Sequence, residues 1–146
     1  MSAAIQIFSE STNAVMHGDN DDNRSLLLIK LVREGIPFKE FKKIMDWSPF
    51  TNKDWAHFLN ISTRTLERHK EDQKVFKQEQ SEKIVSIYQL LQYGVAVFSD
   101  KQLLFKWLHI DTIVLGGVCP KDLLDTSIGI QMVRDALGRL EHGVLA

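Results

Sequence analysis

The sequence predicts an all-α fold, and three observations carry that prediction. From Arg24 onward apolar residues recur at steps of three and four. No stretch alternates apolar and polar residues over a useful length, so strands are not supported. The breaks between periodic stretches carry helix-end residues, among them Gly35, Pro37, Asp100, Pro120 and Gly143.

Taken in order, residues 1–23 mix Ser, Asn, Asp and Gly and end in HGDNDDN. Only the short AAIQIF patch suggests order, so the segment reads as a mobile arm, with the patch free to add a strand or short helix to a partner. From Arg24, Leu27, Leu28, Leu31 and Val32 recur on one helical face, and Gly35 stops the run. Pro37 suits the first turn of a second helix bearing Phe38, Phe41, Ile44 and Met45, after which Ser48 and Pro49 break the chain.

The stretch NKDWAHFLNISTRTLERHK, residues 52–70, has the pattern of a helix-turn-helix. Its first helix is expected from Lys53 to Leu59, capped by Thr51, with Asp54 standing where a capping box usually has Glu or Gln. Ala56 offers the small side chain that the crossing of two helices needs. Asn60 falls in the turn, where positive φ is demanded and Asn follows Gly in tolerance. Ser62 caps a second helix whose leading residues are Thr63, Arg64 and Thr65. In such a pair the second helix lies in the major groove with its first side chains against base edges. Ser62, Thr63 and Thr65 are suited to bases or phosphates, and Arg64 or Arg68 to the bidentate guanine contact, worth roughly 1–3 kcal/mol of discrimination. Lys53, Lys70 and Lys74 suit phosphates. The plain alternative is a helical hairpin whose Arg and Lys only solvate its outer face.

Charge is compatible with this reading. The 146 residues carry net −1, but the distribution is uneven. Residues 1–23 hold four acids and no Lys or Arg; residues 24–110 hold 15 bases and 10 acids, and the balance from Asp111 onward is −2. A modestly basic middle falls short of the footprint of a non-specific binder, so binding should lean on bases and shape. The 44% hydrophobic content allows one respectable core or two small ones. No apolar run approaches the roughly 20 residues of a spanning helix, and no secretory signal opens the chain, so a cytoplasmic address and no membrane role are expected. The single Cys119 reads as a buried or incidental thiol.

Beyond the motif, Ile84, Ile87, Tyr88, Leu91 and Val95 mark one long helix within residues 76–98, with Gly94 an awkward guest. Ser99 or Asp100 caps a short helix holding Leu103, Leu104, Trp107 and Leu108. From Asp111 come a Gly-Gly turn, a short Pro120–Leu124 helix and a final helix from about Thr126, with Ile128, Val133, Ala136, Leu137 and Leu140 as its apolar side and Gly143 at its end. LGGVCP lacks the spaced glycines and the Lys-Ser/Thr pair of a phosphate-binding loop.

The combination of Trp107-Leu108, Leu115-Gly116-Gly117, Pro120, Leu123-Leu124, Thr126, Gly129, Val133, Leu137, Arg139, Glu141 and Gly143-Val144 resembles the antitoxins of the Xre/MbcA/ParS group. The resemblance covers residues 24–146, and the final 36 residues carry most of its specificity. One departure is HIDTIV before LGG, where relatives usually have a polar Pro-Asn turn.

After the arm over 1–23, already read from its composition, the resemblance implies two parts: a helix-turn-helix and dimerisation domain over 24–98 and a small toxin-binding domain over 99–146. It also implies two jobs, neutralising a cognate toxin encoded alongside and repressing the shared operon. Such partners are often RES-domain toxins, which look like ADP-ribosyltransferases and consume NAD. By the resemblance, the last helix and tail lie across the toxin's NAD cleft, with Leu115, Gly116, Gly117, Arg139, Glu141, Gly143 and Val144 as toxin-binding residues. The expected partners are therefore the toxin, operator DNA and a second copy, in a homodimer or a larger hetero-oligomer with toxin. The dimer interface is expected around Leu27, Leu31 and Phe38, because one recognition helix buries little surface and two half-sites lie about 34 Å apart.

A stand-alone phage-type repressor is the second reading. An enzyme is the third: His17, His57, His69, His109 and His142 show no metal-ligand spacing, no nucleophile elbow is present, and no paired carboxylates share a cleft. No catalytic residue, metal or cofactor is therefore expected.

Overall fold

A computed structural model describes residues 21–143. The arm over residues 1–20, with its AAIQIF patch, and the tail from Val144 lie outside the described residues. Seven α-helices run through the described chain: α1 (Asp21–Glu34), α2 (Phe38–Trp47), α3 (Asn52–Phe58), α4 (Thr63–Asp72), α5 (Gln78–Phe98), α6 (Lys101–Leu108) and α7 (Ser127–Glu141). Two short 3-10 turns, η1 (Ile113–Leu115) and η2 (Pro120–Leu123), join α6 to α7. Extended pairing among the described residues is confined to two isolated antiparallel bridges, Pro37 with Val75 and Thr112 with Val118.

The local signals explain most boundaries. Gly35 closes α1 at φ +88°, its amide on the Leu31 carbonyl at 2.9 Å. α1 itself opens at Asp21, three residues before Arg24, and Pro37 serves as the N-cap of α2 and not within its first turn. Asp100 accepts the amides of Gln102 and Leu103 to start α6, while Ser99 ends α5 in the left-handed region. Thr126 accepts the Gly129 amide at 2.9 Å to start α7.

The core has an aromatic centre and an aliphatic extension. Phe38, Phe41, Phe50, Trp55, Phe58 and Phe76 are buried together and meet edge-on in several pairs, Phe41 on Trp55 at 5.2 Å and Phe50 on Phe58 at 4.9 Å. Ile84, Ile87, Leu90 and Leu91 of α5 carry the core onward to Leu104 and Leu108 of α6 and to Val133, Ala136 and Leu137 of α7. α5 is thus the central post, with α1, α6 and α7 packed against it. Gly94 is no misfit there: a Cβ on it would stand 2.5 Å from Leu104 Cδ1, so its bareness is what lets α6 approach. Gly129 is tighter still, because a Cβ would meet the Leu123 carbonyl oxygen at 1.8 Å.

Several expectations need correction. On α1 only Leu31 is fully buried; Leu28 and Val32 pack partly, and Leu27 is half exposed beside the exposed Leu26 and Ile29. Leu31 and Phe38 are taken up by the core and are not free to form a dimer interface. Ile128 is 75% exposed, because Ile130 fills the inward position that the sequence reading gave it. Leu103 also points outward, leaving Leu104 and Leu108 to anchor α6.

Candidate functional site

The helix-turn-helix is α3 and α4 joined through Leu59–Ile61. Thr51 and Asp54 form a reciprocal capping box, the Asp54 amide on Thr51 Oγ1 at 3.1 Å and the Thr51 amide on Asp54 Oδ2 at 3.0 Å. Asn60 takes φ +55° in the turn. Trp55, Ala56, Phe58, Leu59 and Leu66 are buried between the two helices and the aromatic core. His69 is fixed from within, its ring stacked on Phe76 at 4.8 Å and its Nδ1 3.0 Å from the Thr65 carbonyl.

Ser62 and Thr65 prove to be partly spent on architecture. Ser62 Oγ accepts the Thr65 amide at 3.0 Å and lies 2.9 Å from Thr65 Oγ1. Thr65 is half-buried, whereas Thr63, Arg64, Arg68 and Lys70 are exposed, and their side chains make no ion pair among the described residues. α4 also carries Glu67, Glu71 and Asp72, so its bases and acids balance. Glu67 stands at the middle of the helix and Glu71 and Asp72 at its end, which leaves the first turn, with Thr63 and Arg64, as the acid-free part able to approach a groove edge. That is the end a recognition helix presents to bases.

The carboxy-terminal site gathers around the loop between α6 and α7. Gly116 and Gly117 turn the chain with φ of +76° and +83°, fully exposed, while Leu115 is buried and anchors the loop from below. Arg139, half-buried on α7, donates to the Val114 carbonyl at 3.4 Å, and Glu141 accepts the Tyr93 hydroxyl. The Glu141 bond raises the Tyr93 hydroxyl above its ordinary value, with burial adding to it. The structure thus brings Leu115, Gly116, Gly117 and Arg139 together at one end of α7. Gly143, at φ +69°, turns the chain beyond the exposed helix end. Cys119 is buried, its thiol on the Leu108 carbonyl at 3.1 Å, and burial raises its pKa.

Sequence reasoning missed the contacts that tie the two regions. Lys121 of η2 reaches Asp54 Oδ1 at 3.3 Å, Lys83 donates to the Asp125 carbonyl at 2.6 Å, and His57 Nε2 stands 4.0 Å from Asp125 Oδ2. Partners 42 to 68 residues apart leave no local pattern to find them by. Among the described residues no group of three His, Cys, Asp or Glu is placed to hold a metal ion, and no helix is long and apolar enough to cross a membrane.

Residues 27–87 match the model of the antitoxin Xre-like helix-turn-helix domain, and residues 94–143 that of the antitoxin Xre/MbcA/ParS C-terminal toxin-binding domain. Similar whole proteins include an antitoxin Xre of Photorhabdus laumondii, 29% identical over 80% of this chain and 79% of the relative. An antitoxin Xre of Yersinia enterocolitica is 28% identical over 85% of this chain and 84% of its own. A protein of Sphingobium sp. named Prs ADP-ribosylating antitoxin is 27% identical over 81% of this chain and 80% of its own.

Proposed function

We propose that this chain, which belongs to the Xre/MbcA/ParS antitoxin family through both of its domains, neutralises a RES-type, NAD-consuming toxin by laying the end of α7 and the tail across the toxin's active-site cleft. The same chain represses its own operon through α4. It is an antitoxin of a toxin–antitoxin system; the toxin's class, the covering of its cleft and the repression are the proposal.

The observation that carries the neutralising half is the end of α7. Arg139 and Glu141 are tied down to Val114 and Tyr93, so they brace the helix end, while His142 and Gly143 stand exposed just beyond it. The bracing holds the end of α7 in one conformation, which lowers the entropy lost when that end meets a cleft. The Sphingobium relative, named for ADP-ribosylation, supports a toxin that works on NAD. In the repressing half, Thr63 and Arg64 read bases, Arg68 and Lys70 assist, and a second copy joins through Leu26, Leu27 and Ile29 of α1 to reach two half-sites.

Co-expression with the co-encoded toxin tests the first half. A chain lacking residues 142–146 keeps Arg139 on Val114 and Glu141 on Tyr93, so its circular dichroism should match that of the full chain while its protection of growth is lost. Full protection by the shortened chain rules the cleft-covering tail out.

A further inference from the structure

We infer that the toxin docks on an apolar stripe formed by Ile128 and Met132 of α7 with Ile113 of the adjoining loop, and that this stripe supplies most of the affinity. The inference rests on the reading above that the partner is a toxin, and separates where the toxin is held from where it is blocked.

Ile113 is 88% exposed, Ile128 75% and Met132 43%. None of the three is needed by the fold. α7 meets the core through Ile130, Val133, Ala136 and Leu137, and the loop through Leu115 and partly buried Val114. Helical geometry aligns the exposed side chains: Ile128, Met132, Asp135 and Arg139 follow one another at steps of four, three and four, along one line of the helix surface. At the far end of that line, about 16 Å from Ile128, the Arg139 guanidinium bonds the Val114 carbonyl, so the loop bearing Ile113 stands at that end of the same face. Large apolar side chains left in water along one face, Ile128 and Met132 toward one end and Ile113 at the other, mark an extended interaction surface.

The occupant is the toxin on three grounds. The stripe lies wholly within residues 94–143, the part that matches a toxin-binding domain. Residues 111–146 hold five acids and three bases, and Asp135 sits within the line, so a phosphate backbone is disfavoured. The exposed apolar residues of α1 form a separate set, outside residues 94–143 and left for a second copy. The complementary surface is therefore a folded protein with shallow apolar hollows for two isoleucines and a methionine.

The test uses the full chain and the co-encoded toxin in a catalytically inactive form, titrated against each other by calorimetry. Ile113→Glu and Ile128→Glu should each weaken binding about tenfold or more while leaving circular dichroism unchanged. Ile128→Leu should bind as the parent does, and loss of residues 142–146 should change affinity by less than about threefold. Unchanged affinity in both Glu variants, with binding abolished by removing 142–146, overturns the inference and leaves the proposed function standing. Conversion of a dimer to a monomer by Ile128→Glu without change in toxin affinity also overturns it, and gives the face to a second copy. Failure of the unaltered chain to bind the toxin sinks the inference and the proposed function together.

Discussion

Arg64 and Lys70 stand on one helix, six residues and about 9 Å apart along its axis. Arg64 lies in the first turn beside Thr63, and Lys70 lies in the last turn beside Glu71 and Asp72. On the proposed DNA-binding reading, that placement assigns Arg64 to a base and Lys70 to a phosphate. Arg64→Ala should weaken binding to the chain's own upstream DNA about tenfold and relax one base position, whereas Lys70→Ala should weaken all duplexes alike and lower the salt slope by about one. Gel shifts over a salt series, with a scrambled duplex beside the native one, read both effects; if neither appears, recognition lies elsewhere. At this scale the sequence was legible wherever a residue acts on its near neighbours. Thr51, Asp54, Asn60 and Ser62 all do what their spacing predicts. Ile128 was misread for a geometric reason: two residues before Ile130, it sits about 160° around the helix from it, so both cannot face the core. The hold of Arg139 on Val114 and of Glu141 on Tyr93 depends on folds of the chain that no spacing records.

Helix α3 is the element on which both regions of the protein converge, and Asp54 is its pivot. Burial alone raises that carboxyl, but the Thr51 amide, the Lys121 charge and hydrogen bond and the Thr51 hydroxyl outweigh burial and hold it below its ordinary 3.8. A carboxylate depressed in the folded state contributes stability that is present above its unfolded pKa and lost as pH falls through the folded one. Asp54→Asn should therefore cost about 1 kcal/mol at pH 7, the usual scale of a helix cap. The gap between parent and variant should close below about pH 3.8, where the parent carboxyl also takes up its proton. Thermal midpoints measured for both proteins at pH 7 and near pH 3 check the sign, and a gap that widens in acid contradicts it. The existence and order of the helices were readable from periodicity and caps. Gly94 has no explanation in its own helix, because the reason for it is the Leu104 side chain of another.

Across the whole molecule, the two regions share one core and a clamp of charged contacts. Ile87, Leu90 and Leu91 of α5 belong to the same buried cluster as Leu104, Leu108, Val133 and Leu137 beyond residue 98. Lys121 on Asp54 and Lys83 on the Asp125 carbonyl pin the carboxy-terminal turns to α3 and α5. A boundary at residue 98 is visible in the sequence as a change of motif, yet the fusion across it depends on partners such as Asp54 and Lys121, 67 residues apart. Two consequences follow. If the toxin sits on α7 as proposed, it is held in a fixed orientation relative to α4, because α5 and the shared core join the two. The helix-turn-helix half also has no complete core of its own. A fragment of residues 1–98 uncovers the apolar faces that α6 and α7 bury, and lost burial of several large side chains, at roughly 1.5–3 kcal/mol each, exceeds the margin by which small domains are stable. The full chain should unfold in one cooperative transition followed by circular dichroism, and the 1–98 fragment should show no cooperative melt. A fragment that melts cooperatively near the temperature of the full chain would mean that the shared core is dispensable and that the two halves fold apart.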